Sequence, residues 1–251
     1  MKIPYLILLL MLSFVFADAQ KIYATFTVKA EKNANLAFNI SGIVDKVNVN
    51  IGSLVKKGEK LVILENSDIK SMLDIAKANL KKAQISAHYA QKEYNRHLKV
   101  KHILNASTFD KFAQNRDIAN ATITQLKANV KYQKILLDKT TLYAPFDGII
   151  YEKLVEVGDV VSGQMIRTIL KIESLHKRKL ILEFDQKYWE KVKVGDKFSY
   201  KIDGSDTIYQ GTISKIYPTI DTKNRKIKAE VKAKDFMVGL FGDGYILINK
   251  K

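Results

Sequence analysis

The 251-residue chain has no cysteine, only three prolines and a single tryptophan. Without cysteine there is no disulfide, no thiolate metal site, no thiol nucleophile and no lipid-carrying cysteine of the kind that anchors bacterial lipoproteins. Gly-rich phosphate loops, nucleophile elbows and HExxH patterns are missing too, so no residues support a catalytic reading. Histidine is scarce: His88, His97, His102 and His176. A helical metal pair needs i, i+3 or i+4 spacing, whereas His97 and His102 are five apart, roughly 140° around a helix, and His88 lies nearly opposite His97. The three helical histidines therefore read as solvated side chains. Met72, Met165 and Met237 are far apart in sequence and read as core or turn residues. No catalytic, cofactor or metal site is expected, and no cofactor.

Long apolar runs are equally sparse. The one present, Ile3 to Phe16, follows Lys2 and precedes Ala17-Asp18-Ala19. That order of charge, short apolar stretch and small residues reads as an export signal over 1–19, cleaved near Gln20. The stretch is shorter than the roughly 18 to 20 residues of a spanning helix. Acidic charge is in deficit: 42 Lys and Arg stand against 26 Asp and Glu, a net charge of +16. The excess is scattered lysine and forms neither an Arg block nor an aromatic-interleaved patch. This disfavours a nucleic-acid partner and suits anionic lipid headgroups, as a peripheral membrane contact, or an acidic protein surface.

What the chain does contain is an internal repeat. Sliding the sequence on itself by 106 residues brings Gly42 onto Gly148, Val49 onto Val155, Gly52 onto Gly158, Val55 onto Val161 and Leu64 onto Leu170. Each copy reads as a strand, a turn at its second glycine and a further strand ending in an apolar run, Leu61 to Leu64 or Ile166 to Leu170. Gly42, Gly52, Gly148 and Gly158 are the expected turn glycines. One copy is too small to bury its apolar face, so the two are expected to form a β-sandwich together.

Between the copies, apolar or small residues recur with alternating 4,3 spacing at Ile69, Leu73, Ala76, Leu80, Ala83, Ala87, Ala90 and Tyr94. The spacing returns at Phe109, Phe112, Ala119, Ile123, Leu126, Val130 and Leu137, broken by Arg116 and Gln133. Neither segment contains Pro or Gly, so a long antiparallel hairpin is expected, each arm roughly 50 Å at 1.5 Å per residue. Leu104 to Ala106 form the expected turn, with Ser107 and Asp110 as a capping box for the second helix. The outer face reads as polar and Lys-rich, with no second apolar seam.

Ser41-Gly42-Ile43-Val44 through Gly52-Ser53-Leu54-Val55-Lys56-Lys57-Gly58, with Ala144-Pro145-Phe146-Asp147-Gly148 through Val157-Gly158-Asp159-Val160-Val161, resembles the split lipoyl-like domain of the HlyD-like membrane fusion proteins, or periplasmic adaptors. The β-rich remainder, including Gly211 to Pro218 and Gly242 to Ile248, resembles that family's barrel. The fold this implies is mixed α and β, elongated and multi-domain: a split lipoyl-like sandwich interrupted by an α-helical coiled-coil hairpin, then a β-barrel. The expected layout is a signal peptide (1–19), an N-terminal strand segment (20–34), a first lipoyl-like half (35–68), the hairpin (69–139), a second half (140–172) and the barrel (173–251). Longer members continue into a membrane-proximal domain built from both termini; only Ile22 to Ala30 and the final lysines are available for one here, so that domain is expected to be absent or vestigial. A genuine lipoyl domain bears its modified lysine on the turn between halves. Here the hairpin replaces that turn, and Lys70 reads as an exposed first-turn residue behind an Asn66-Ser67-Asp68 cap.

The resemblance also implies a role: a non-enzymatic adaptor in the Gram-negative periplasm, associated with the inner membrane. It would link an inner-membrane RND efflux transporter to a TolC-like outer-membrane channel, as a homo-oligomeric, hexameric ring. An adaptor of an ABC exporter or type I secretion system is the alternative. Efflux members often carry an Arg, a Leu four residues on and a Ser seven beyond that at the hairpin tip. With Leu98 as that Leu, Tyr94 and Asn105 occupy the other two positions. The expected channel-docking tip is Leu98, Leu104, Asn105, Ala106 and Ser107.

Overall fold

The computed structural model describes residues 20–233 and 236–248. The expected export signal, 1–19, lies outside the described residues. The described residues divide into two compact units, 20–32 with 174–248, and 33–173.

The first unit is a closed six-stranded antiparallel barrel. Its strands are β1 (Gln20–Ala30), β10 (Arg178–Asp185), β11 (Lys197–Ile202), β12 (Tyr209–Asp221), β13 (Lys226–Ala233) and β14 (Phe241–Ile248), in the order β1-β10-β13-β12-β11-β14. Strict alternation builds its core. Ile22, Ala24, Phe26 and Val28 of β1 are buried, and so are Leu180, Leu182 and Phe184 of β10 and Ile227, Ala229 and Val231 of β13. Phe26 meets Phe198 and Tyr200 edge-on at ring-centroid distances of 5.9 and 5.2 Å. The barrel corrects the expected layout. Ile22 to Ala30 do not form a separate N-terminal segment, because β1 closes the barrel by pairing with both β10 and β14.

The second unit contains a sandwich of two four-stranded sheets, built from β2 (Asn33–Leu36), β3 (Gly42–Val47), β4 (Leu54–Val55), β5 (Lys60–Leu64), β6 (Thr141–Tyr143), β7 (Gly148–Lys153), β8 (Val160–Val161) and β9 (Leu170–Glu173). The sheet orders are β2-β9-β7-β4 and β6-β5-β3-β8. Each copy of the repeat gives its short middle strand to the other: β4 pairs with β7, and β8 with β3. The exchange is symmetric, since Gly42 faces Val161 while Gly148 faces Val55. Gly52 N–H donates to Ile150 at 2.8 Å, and Gly158 N–H donates to Val44 at 2.9 Å. Neither half can complete its backbone hydrogen bonds alone.

Gly52 and Gly158 occupy the left-handed region, with φ of 88° and 94°. Gly42 and Gly148 do not; they open strands β3 and β7 and are no turn residues, a correction for half of the glycine set. The repeat also ends differently in the second copy. β9 begins only at Leu170, and Ile166, expected in a strand, is 68% exposed.

Two long helices, α1 (Ser67–Leu98) and α2 (Ala106–Lys139), fill the gap between β5 and β6. A buried clasp closes their base: Asn66 Nδ2 donates to Thr140 Oγ1 at 2.9 Å, and Thr140 Oγ1 donates to the Leu137 carbonyl at 2.7 Å. Asn66 stands at the N-cap position but makes no side-chain cap. Glu65 Oε1 accepts from Ser67 N instead. The expected Asn66 cap is thus replaced by a tie between the two ends of the hairpin. Thr140→Val keeps the shape and leaves the Asn66 amide buried without its acceptor, so stability should fall by about 1–3 kcal/mol, with Thr140→Ser retaining most of it. Urea midpoints of the two variants measure this.

Candidate functional site

The two helices of the hairpin lay out their shared seams as the spacing predicts. Leu73, Ala76, Ala83, Ala87 and Phe109 are buried. The positions expected to interrupt the second seam do not leave it. Arg116 lays its guanidinium over the Tyr94 ring, 4.0 Å from the centroid, and donates to Asp117 at 2.8 Å. That hydrogen bond from Arg116, foremost among the causes, raises the guanidinium pKa further. Gln133 is half-buried in the same seam.

Near the tip the seam turns aromatic. Tyr94 packs on Phe109 with ring centroids 5.5 Å apart, and His97 stacks on Phe112 at 3.6 Å. His97 is therefore a seam residue and not the solvated side chain expected. Its Nδ1 lies 2.9 Å from the Glu93 carbonyl oxygen. Among the described residues, no three His, Asp or Glu side chains gather as a metal-binding set.

The connection itself runs from Lys99 to Asn105 and contains a 3₁₀ turn, Lys101–Ile103. It is longer than the expected Leu104 to Ala106. Asn105 is the N-cap of α2, and its side chain accepts from Ser107 N at 2.9 Å. The expected Ser107–Asp110 capping box is displaced by two residues, because Asn105 supplies the extended backbone and the acceptor that a cap needs. Ala106 and Ser107 lie in the first turn of α2, and Leu104 is half-buried. Leu98 is 46% exposed, but the most exposed apolar side chain of the tip is Ile103, at 73%, with Val100 beside it in the same connection. Sequence reasoning missed both because their exposure follows from the 3₁₀ turn and not from a helical period.

A second omission is larger. On α2, the positions Gln114, Ile118, Ala121, Gln125, Ala128, Tyr132 and Ile135 again follow 4,3 spacing, and all are exposed. This stripe contains no charge. On α1, Ile75, Ala78, Ile85 and Tyr89 form a similar outward stripe around Lys82. The expectation of a polar outer face without a second seam is overturned: each helix carries one seam toward its partner and one toward solvent.

Residues 32–170 match the family model for the CzcB-like barrel-sandwich hybrid domain. The chain belongs to this family. Among curated proteins it is 26% identical over 209 residues to the cobalt-zinc-cadmium resistance protein CzcB of Cupriavidus metallidurans, covering 80% of this chain and 39% of that protein. It is 28% identical over 148 residues to the multidrug efflux pump subunit AcrA of Escherichia coli K12, covering 58% of this chain and 37% of AcrA. The chain thus spans about two fifths of the length of these curated relatives. Among solved structures, MacA of Actinobacillus actinomycetemcomitans aligns with a TM-score of 0.80 at 20% identity, over 92% of this chain and 79% of that one. A MacA–MexA chimera carrying the Pseudomonas aeruginosa MexA α-hairpin aligns with a TM-score of 0.78 at 24% identity, over 92% and 81%. These structures share the fold. Among the described residues of this family member, no helix is long and apolar enough to cross a membrane.

Proposed function

We propose that the chain is a periplasmic adaptor of a Gram-negative tripartite efflux system, associated with the inner membrane. It joins an RND transporter to a TolC-like outer-membrane channel for export of toxic compounds. The role is mechanical: the sandwich and barrel assemble as a hexameric ring on the transporter, and the coiled-coil hairpins pack side by side into a tube whose tips meet the channel. Neither catalysis nor a cofactor enters the mechanism.

The observation that carries this reading is the uncharged outward stripe on α2. A hairpin serving only as a spacer needs one seam per helix. A helix in a tube needs a second seam to meet the next copy, uncharged and rich in small residues so that neighbouring helices approach closely. The stripe from Gln114 to Ile135 has that composition. The named roles of two relatives, a multidrug efflux pump subunit and a metal-resistance protein, agree with an export system.

Ile118→Lys with Tyr132→Lys puts charge into the stripe at residues 56% and 57% exposed. Folding stability should change by no more than roughly 0.5 kcal/mol for each exposed substitution. In a strain that depends on this adaptor, resistance to exported compounds should be lost. Because the chain has no cysteine, single cysteines at Ala121 and Ile85 should also form cross-links between copies in assembled complexes. Unchanged resistance in the double variant, with no cross-linked species, would overturn the tube.

A further inference from the structure

One end of the barrel has a surface chemistry that its own core does not explain. Register places several segments there: Gln20 opposite Ile248, Lys197 opposite Leu247, and both Asp185 and Asp221 opposite Lys226. This end therefore carries the start of β1, the turn after β10 and the β12–β13 hairpin. Lys191 Nζ reaches Gln20 Oε1 at 3.3 Å, and Gln186 N–H donates to the Arg225 carbonyl at 3.1 Å, which ties the three together.

Trp189, the only tryptophan, stands here 65% exposed, with Val194 at 61% and Ile220 at 44%. Its exposure is built in. Tyr188 packs against the barrel core and Val192 is buried within it, while Trp189 N–H donates to the Gln186 carbonyl at 3.0 Å, so the turn holds the indole outward. A large amphipathic ring fixed in water in this way is what the interfacial zone of a bilayer accommodates.

The surrounding charge fits the same environment. Lys187, Lys191, Lys193, Lys223 and Arg225 are exposed, and none has a carboxylate partner within ion-pair distance among the described residues. The neighbouring aspartates are committed to the backbone: Asp185 accepts from Lys187 N at 2.9 Å, Asp196 from Lys193 N at 2.7 Å and Asp221 from Lys223 N at 3.0 Å. These carboxylates shape their turns, while Lys187 Nζ lies over the Tyr188 ring at 5.0 Å and Lys191 Nζ rests on the neutral Gln20 amide, so both keep an uncompensated charge at this end. Glu190, next to Trp189 in the chain, is exposed as well. In addition, the chain enters the barrel at this end, with three residues between Phe16, where the apolar run closes, and Gln20. Before any cleavage, about 14 Å of chain at most separates the two, at roughly 3.5 Å per residue.

We propose that this end of the barrel is a docking face for an anionic lipid bilayer, with Trp189 entering the headgroup region and the five cations lying on the phosphates. The inference is independent of the transporter and channel. It extends the adaptor reading by giving the barrel its own hold on the membrane.

The unique tryptophan makes the test direct. Among the described residues both cores are built from within 20–248, and the chain without 1–19 is the protein to test. It should co-sediment with phosphatidylcholine vesicles containing phosphatidylglycerol and not with pure phosphatidylcholine. Trp189 emission should shift to the blue and be quenched by brominated lipid, and added salt should reverse both effects. Lys191→Glu with Lys193→Glu should weaken vesicle binding on the order of tenfold or more, at about 1 kcal/mol per basic residue near the surface. Lys131→Glu with Lys134→Glu on α2 is the control for diffuse attraction and should leave binding unchanged. The proposal is overturned by binding without a change in Trp189 emission, or by equal losses in the two charge-reversal pairs. It is equally overturned if the emission shift comes only from the transporter's periplasmic portion and never from vesicles.

Discussion

Gly148→Ala should destabilise the sandwich by about 3 kcal/mol or more, whereas Gly42→Ala should cost about 1 kcal/mol or less, although the two glycines occupy the same position of the repeat. A Cβ on Gly148 would lie 2.3 Å from the Glu173 carbonyl oxygen and 3.0 Å from Ile172 Cγ1. The first is backbone of β9, held in its ladder with β7, and cannot retreat without giving up those hydrogen bonds. A Cβ on Gly42 would lie 3.1 Å from Leu64 Cδ1. That is the end of a side chain, and a small rotation relieves it. Trp189 lies in the barrel, so tryptophan fluorescence follows that unit while far-UV circular dichroism is dominated by the hairpin and sandwich. The Gly148 variant should lose the dichroism transition first and keep the fluorescence transition of the parent. Equal losses from the two substitutions would mean that the halves are packed equivalently and that β7 and β9 are not as close as described.

Leu98→Asp combined with Ile103→Asp should abolish export while helicity and melting stay near those of the parent. Leu98 and Ile103 are 46% and 73% exposed, so neither substitution buries a charge in the isolated chain. The hairpin beneath is held by the Tyr94–Phe109 and His97–Phe112 ring contacts, which these changes leave in place. A tip-to-tip contact with a channel is small, and a few apolar side chains dominate such contacts. Desolvating one carboxylate there costs well over the 1.4 kcal/mol that lowers affinity tenfold. Asn105→Ala provides the contrast. It removes the cap on α2 and should lower stability by about 1 kcal/mol, a change visible in melting. Normal export by the double variant with normal melting would remove the tip from the docking surface.

Much of this architecture is legible in the residues. The 106-residue repeat announces two half-domains, and the 4,3 spacing from Ile69 to Tyr94 and from Phe109 to Leu137 names the seam that the helices share. Arg116 was misread as an interruption because a spacing argument treats a cation as polar. It does not see that a guanidinium can stack on Tyr94. The outward stripe on α2 was overlooked for a related reason: it contains two glutamines and two alanines, and its significance lies in the absence of charge more than in apolarity.

Local sequence thus determined the alternation along β1 and β10, the inward helical seams and the positive-φ glycines Gly52 and Gly158. These depend on neighbours within a few residues, where one chain segment dictates its own conformation. Tertiary structure decided the remainder. Residues far apart in sequence had to meet before β4 and β8 could exchange sheets, before β1 could close a barrel with strands 148 or more residues away, and before Gly148 could differ from Gly42. Barrel closure also gathered Trp189 and its lysines at one end. Such long-range pairings are selected by the completion of backbone hydrogen bonds and core volume across the whole unit, quantities that no local window of the sequence contains.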